Sequence, residues 1–274
     1  MRYKTGRMST MKINEFKPNI KLNNLIYSYY FIKNHAATHD NIPPLGHPVI
    51  QFHLRNNINV FYSNYDFPIE EVMIVGQLSK FAKINNAGEL SMIGVNLKPT
   101  ALFKLLHTNT KQFTDKGTPA APFFGNDIYK LLGKLKSNTP DIEKVAILDQ
   151  FFINLADDIP VLSDKFDVLI DTIIEKKANI STEEINKFCI VSERTLQRNF
   201  NNRIGLSLKT YLRVIRNLHF FKILNQGLYN KIQDIIFEAG YYDYSHFIKD
   251  FKLMTGTTPK QYFSNNEEFA KMFL

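Results

Sequence analysis

The 274-residue sequence predicts an α+β chain of two domains. A β-rich sandwich or barrel with trailing helices is expected over 13–158, and an all-α domain over 163–264. Three observations predict this. Short runs with strand-like alternation fill the first third of the chain, and the apolar spacing changes to the helical period after Pro99. Between 180 and 263 two helix pairs recur, each broken by a tight turn and each with a second helix that starts at a polar cap.

The elements follow in order. The run 25–32 is rich in β-branched and aromatic residues, and 49–54 alternates after a Pro-Pro-Leu-Gly-His-Pro punctuation. Further strands are expected at 58–62, 71–76, 82–84 and 90–97, separated by Asn, Gly and Pro, with a polar loop before 43. Helical spacing marks 99–107, 123–136 and 141–156, for example in Val145, Leu148, Phe152 and Leu155. The helices 123–136 and 141–156 offer apolar faces to a dimer or to their own domain core. Asp157-Asp-Ile-Pro160 separates the domains, and Ser163 is the predicted N-cap of a helix reaching about Lys177.

Composition narrows the function classes. The net charge is +8 and the pI near 9.3, which favours a polyanionic partner. From Lys187 to Lys222 eight Lys/Arg face one acid, Glu193, a net +7 over 36 residues. A single cysteine, Cys189, excludes an intramolecular disulfide and a zinc site built of thiolates alone. No apolar run approaches the roughly 20 residues of a membrane span, and MRYKTGRMSTMK lacks the apolar core of a signal peptide. A cytoplasmic protein without a membrane partner is expected.

The paired motif carries the chemistry. Ser192 is a natural cap, with Glu193 suited to the positive end of the helix dipole. Leu196, Phe200 and Ile204 recur at i, i+4, i+8 and should face the core. The opposite face presents Arg194, Gln197, Arg198 and Asn201, side chains that can bridge guanine or adenine edges in the major groove. A solvated helix face is the plain alternative, but such a face usually mixes charge signs. In the second copy Ile232, Ile235 and Ile236 pack the brace, Gly240 turns the chain and Asp243 caps the next helix. Phe247, Phe251 and Met254 should be core, leaving Tyr244, Ser245, His246 and Lys249 exposed. Helices at 192–203 and 243–254 would then enter successive major grooves, about 34 Å apart. The amphipathic helix 208–225 between them would span about 27 Å at 1.5 Å per residue. Lys209, Arg213 and Arg216 can reach phosphates or lie in solvent.

These residues resemble the AraC/XylS family of bacterial transcription regulators. SERTLQRNF is similar to that family's first recognition helix and LKTYLRVIRNLHFFKIL to its linker helix. Residues 235–240, DYSHF from Asp243, and the F-K-x-x-x-G-x-x-P-x-x-Y spacing from Phe251 to Tyr262 are similar to its second motif and closing signature. The resemblance covers roughly 166–263. It implies base reading by Arg194, Gln197 and Arg198 in the first motif and by Tyr244, Ser245, His246 and Lys249 in the second. Asn186 stands where Ala is usual and Ile190 where Gly is usual, which implies a tilt of the first motif's helices, and Ile236 replaces another usual Ala in the second motif. FKPNIKLNNLIYSYYFI, PPLGHPVIQFHL, VGQLSKF and SMIGVNLKP look like segments of a group with a β-rich sensor domain. That likeness implies a cupin-like barrel or sandwich followed by helices, serving effector binding and dimerisation.

Expected partners are double-stranded promoter or operator DNA, a small-molecule effector, a second copy of the chain and, for an activator, RNA polymerase. No cofactor, metal or catalytic residue is expected. Two rival readings are a non-specific DNA-binding architectural protein and a cupin-type metalloenzyme fused to a DNA-binding domain. The second would need His35, His39 and Asp40, or His47 and His53, as ligands. Neither cluster supplies a His-x-His with a downstream Glu. No P-loop, glycine-rich dinucleotide turn or nucleophile elbow is present.

Overall fold

The computed structural model describes residues 12–35, 38–55, 60–62, 70–86, 88–157, 159, 164–188, 192–226 and 231–264. A six-stranded antiparallel sheet is built from β1 (Lys12–Phe16), β2 (Ile26–Asn34), β4 (Val49–His53), β6 (Val72–Val75), β8 (Leu90–Leu97) and β9 (Gly117–Pro119), in the order β1-β2-β8-β4-β6-β9. A three-stranded sheet is ordered β3 (Thr38–Ile42), β7 (Ala82–Asn86), β5 (Val60–Tyr62). The sheets stay open and face each other, so the sandwich is the form adopted and the barrel is not.

Both faces of the large sheet are covered, and the period of two sorts its residues. Tyr29 and Phe31 of β2 join one core with Ile93 and Val95, whereas Tyr30 and Ile32 join Leu90, Met92, Val49 and Ile84 between the sheets. Tyr30 pairs with Gly94 across the ladder, and its ring occupies the space above that glycine. The strand β3 was expected as a loop. Its THDNI sequence carries no apolar alternation, and it is held by backbone pairing to β7.

Helices cover the outer face. They are α1 (Ala101–Leu106), α2 (Ala121–Phe124), α3 (Asp127–Leu135) and α4 (Asp141–Leu155). The single helix expected at 123–136 is two, because Gly125 turns the chain at a φ of 68°. Ile128, Leu131, Leu132 and Leu135 of α3 and Val145, Leu148 and Phe152 of α4 are buried in the same core as Tyr29. Each such side chain stabilises by about 1.5–3 kcal/mol. The apolar faces weighed for dimerisation therefore serve their own domain.

The rest of the chain is helical, comprising α5 (Lys165–Glu175), α6 (Thr182–Phe188), α7 (Glu193–Asn199), a π turn (Phe200–Ile204), α8 (Leu208–Gln226), α9 (Ile232–Glu238), α10 (Tyr244–Thr255) and α11 (Pro259–Ser264). The cap of α5 is Asp164, which accepts from the amides of Phe166 and Asp167 and forms a capping box with Asp167. Ser163 lies outside the described residues. The long helix α8 joins two cores. Tyr211, Val214 and Ile215 pack with Phe166, Leu196, Phe200 and Ile204, while Phe220, Phe221 and Ile223 pack with Ile235, Ile236, Phe247, Phe251 and Tyr262. One amphipathic stripe was expected on this helix. Val214, Asn217, His219, Phe220 and Ile223 are buried as well, because packing reaches it from several sides.

The candidate nucleic-acid interface

The first motif pairs α6 with α7. Ser192 caps α7 in extended conformation, its hydroxyl accepting from the Thr195 amide at 3.3 Å. Leu196, Phe200 and Ile204 are buried, and Arg194, Gln197 and Arg198 lie exposed on the other side. Gln197 Nε2 donates to Glu193 Oε1 at 3.2 Å, one turn back. Neither Arg194 nor Arg198 has an ion pair among the described residues. Asn201 is half-buried in the π turn. The residues 189–191, with Ile190, and the side chain of Asn186 lie outside what is described.

Beyond Arg194 and Arg198, the polar and basic residues divide into two sets. Gln197, Asn201, Lys209 and Arg216 line one open cleft between α7 and α8. Arg203 and Arg213 are engaged within the fold. The Arg203 guanidinium lies 2.8 Å from Asp164 Oδ2, and it stacks over Phe166 at 4.6 Å. Arg213 Nε lies 2.8 Å from Asp250 Oδ1 on α10, with the arginine side chain still 26% exposed. The inward Asp250 is not singled out by the sequence reading. Its signal was its place on the α10 face that also carries Phe247, Phe251 and Met254.

The second motif pairs α9 with α10. Ile235 and Ile236 are buried and Ile232 half-buried, and Gly240 turns at a φ of 82°. Asp243 caps α10 by accepting from the His246 amide at 2.7 Å. Tyr244, Ser245 and Lys249 are exposed at the N-terminal end of this helix. His246 is half-buried, with its ring 5.4 Å edge-on to Tyr241 and Nε2 3.5 Å from Asp250 Oδ2. Burial, and then the Asp250 charge, push the pKa of Tyr241 up, and Arg216 lies over its ring at 5.5 Å. Tyr242, 89% exposed in the turn before the cap, is an aromatic the sequence reading did not single out.

The histidines form no metal centre among the described residues, where no cluster of three or more His, Cys, Asp or Glu is positioned to hold an ion. His35 contacts Glu89 at 3.1 Å, and His47 Nδ1 lies 3.3 Å from the Pro48 carbonyl. The side chains of His39 and Asp40 lie outside the described residues. Also among the described residues, no helix is long and apolar enough to cross a membrane. A cavity of about 50 Å³ opens between the two sheets, lined among others by Tyr30, Ile42, His47, Gln51, Ala82 and Met92. Burial pushes the His47 pKa down to about 4, so the imidazole is neutral there at pH 7.

Two families match the chain in turn: a helix-turn-helix domain over residues 188–265, and a domain of unknown function (DUF6597) over residues 14–119. The HTH-type transcriptional activator RhaR of Escherichia coli (strain K12) is 32% identical over 112 residues, covering 39% of this chain and 39% of the relative. RhaR of Shigella flexneri serotype 5b matches with the same figures. The chain thus spans about two fifths of the length of these relatives. Among solved structures, ToxT of Vibrio cholerae is similar with a TM-score of 0.49 at 10% identity, over 93% of this chain and 98% of that one.

Proposed function

We propose, from the premise that the C-terminal part of this chain belongs to the AraC/XylS family of helix-turn-helix proteins, that the chain is a sequence-specific transcription regulator. Its units are 13–158 and 163–264. In this reading α7 and α10 enter successive major grooves on one side of a duplex. One observation carries it: Arg194, Gln197 and Arg198 stand exposed on a capped helix whose other side is buried, and the two arginines lack acidic partners among the described residues. Arg can bridge guanine O6 and N7, and Gln can bridge adenine once it leaves Glu193. Tyr244, Ser245 and Lys249 are the second set, with His246 oriented by Asp250 and Tyr241. Lys209 and Arg216, beside α7 in the open cleft, are the phosphate contacts together with Arg213, which also holds Asp250 of α10. Asn201 contributes from the edge of the first set.

The N-terminal domain, in this reading, binds a small effector in its inter-sheet cavity or a second copy of the chain. The regulator works in the cytoplasm with the chromosome, and RNA polymerase is its further partner if it activates. A non-specific architectural protein is distinguished by the ratio of operator to random-duplex affinity at fixed salt.

The test is footprinting on DNA upstream of the chain's own gene, with Arg198→Ala alongside the wild type. The substitution should relax preference at one base and cost about 1–3 kcal/mol. An unchanged base preference removes Arg198 from the reading set. Equal affinity of the wild type for operator and random duplex refutes the regulator reading.

A further inference from the structure

Each recognition element ends on a left-handed glycine, Gly205 at a φ of 89° and Gly256 at 81°. The N-terminal domain is seated on both. At the first, Thr114 Oγ1 donates to the Gly205 carbonyl at 2.6 Å and Thr110 Oγ1 to the Asn202 carbonyl at 2.9 Å. At the second, Asn41 Nδ2 donates to the Thr255 carbonyl at 2.9 Å and the Phe81 amide to the Leu253 carbonyl at 3.2 Å. These acceptors lie at helix ends, where carbonyls lack intrahelical donors. Neither seat has room for a side chain on the glycine. A Cβ on Gly205 would lie 2.8 Å from Thr114 Oγ1, and one on Gly256 would lie 2.7 Å from Asn41 Nδ2 and 2.8 Å from the Phe81 ring.

A third contact lies between these two. Gly46, in the loop from β3 to β4, approaches α8 so closely that a Cβ there would be 3.0 Å from Ile215 Cδ1 and 3.2 Å from Leu218 Cδ1. Its carbonyl accepts from Gln77 Nε2 at 3.0 Å, which fixes the loop from behind. One body therefore touches both recognition elements at equivalent points, and also the rod that joins them.

We propose that the N-terminal domain is a template that sets the separation and mutual angle of the two recognition helices, with Thr114 and Asn41 as positioning residues for half-site spacing. The proposal rests on the reading of the chain as a two-motif DNA-binding protein. The inter-sheet cavity lies directly behind the second seat. Ile42 follows Asn41, Leu45 and His47 flank Gly46, and Ala82 follows Phe81, and all four of those neighbours line the cavity. The first seat is built on a different element, the 3-10 turn Thr110–Phe113 and Thr114 beyond it. In this proposal filling or emptying the cavity acts on the seats on Gly256 and α8 through their own neighbours, and on the seat on Gly205 through the Gln77 carbonyl that accepts from the Asp115 amide. What it regulates is the spacing the pair of helices reads.

The test uses the full chain and duplexes carrying the footprinted site, with the native spacer and with one base pair inserted or deleted between half-sites. One base pair rotates the second half-site by about 34–36°. The wild type should favour the native spacer about tenfold, and Thr114→Val with Asn41→Ala should reduce that to about twofold, as expected from losing two hydrogen bonds. Thr114→Ser, which keeps the hydroxyl, should restore the Thr114 share. Affinity for the isolated first half-site should be the same in all variants, which a general loss of folding would not allow. Variants that retain the wild-type spacing ratio overturn the template and leave the DNA-binding reading intact. A wild type without selective DNA binding overturns both. Hydrogen exchange at the Phe81 amide is a second measurement. Protection there is expected in the free chain, and exchange at the unprotected rate overturns the second seat.

Discussion

Asp167 on α5 is the point where the N-terminal domain, the helix preceding the first motif and the π turn that follows α7 meet. It accepts from Thr100 Oγ1 at 2.6 Å and from Lys104 Nζ at 2.7 Å, and the Arg203 guanidinium lies 3.4 Å away. The Asp167 and Lys104 side chains are only 7% and 14% exposed. Asp167→Asn keeps the shape and removes the charge. Leaving one partner of a buried pair uncompensated costs about 3–5 kcal/mol. Arg203 retains Asp164 at 2.8 Å and Lys104 keeps some water, so about 2–4 kcal/mol is expected here. Urea unfolding of the full chain at pH 7 measures it, with Lys104→Met closing a double-mutant cycle. A cost below about 1 kcal/mol, the range of exposed pairs, would refute the buried-latch reasoning. Acid supplies an independent arm. Burial alone would raise the Asp167 pKa, but hydrogen bonds from Lys104 and Thr100, the Lys104 charge and the Asp164 amide together outweigh it and hold the pKa low. A carboxylate held low stabilises the fold above its unfolded pKa and loses that contribution as pH falls through the folded value. The wild type should therefore lose stability below about pH 4, and Asp167→Asn should not share that loss.

Two further outcomes are expected. His53, 2% exposed, has its pKa pushed down to about 4 from 6.5 by burial, with the Glu71 charge opposing. Between those values the unfolded chain takes up a proton that the folded chain refuses, so stability should fall as pH drops from 6.5 toward 4. His53→Gln should flatten that slope, and matching slopes in the two proteins would contradict the assignment. Gly94→Ala places a Cβ 1.9 Å from Tyr30 Cζ, so the ring must leave its position between the sheets. A loss of about 1–3 kcal/mol in thermal or urea unfolding is expected, and an unshifted midpoint would count against this packing.

What was legible in the sequence was what has local period and punctuation. Ser192 and Asp243 cap α7 and α10 as expected, and β8 spans the same residues that its alternation marked. Polar β3 was invisible because its partner, not its composition, makes it a strand. The π turn at Phe200–Ile204 has no sequence signature. Counting charges gave a basic stretch but could not show that Arg203 and Arg213 turn inward. Their partners Asp164 and Asp250 lie 39 and 37 positions away, and ion pairs at that range leave no local pattern. The same holds for Asp167, whose meaning depends on Lys104 from the other domain.

The burial of α8 limits how freely this chain can be recombined. A helix that completes the cores of both motifs and also receives the Gly46 loop is not a passive tether, even though it lies wholly on one side of the domain boundary. A chimera that joins a foreign N-terminal domain at residue 160 would keep every residue of α7 and α10. It would still leave Ile215 and Leu218 without the loop that covers them. Successful grafts should be those that carry the Pro43–Pro48 loop along with α8, so the heritable unit of this architecture is a surface shared by two domains.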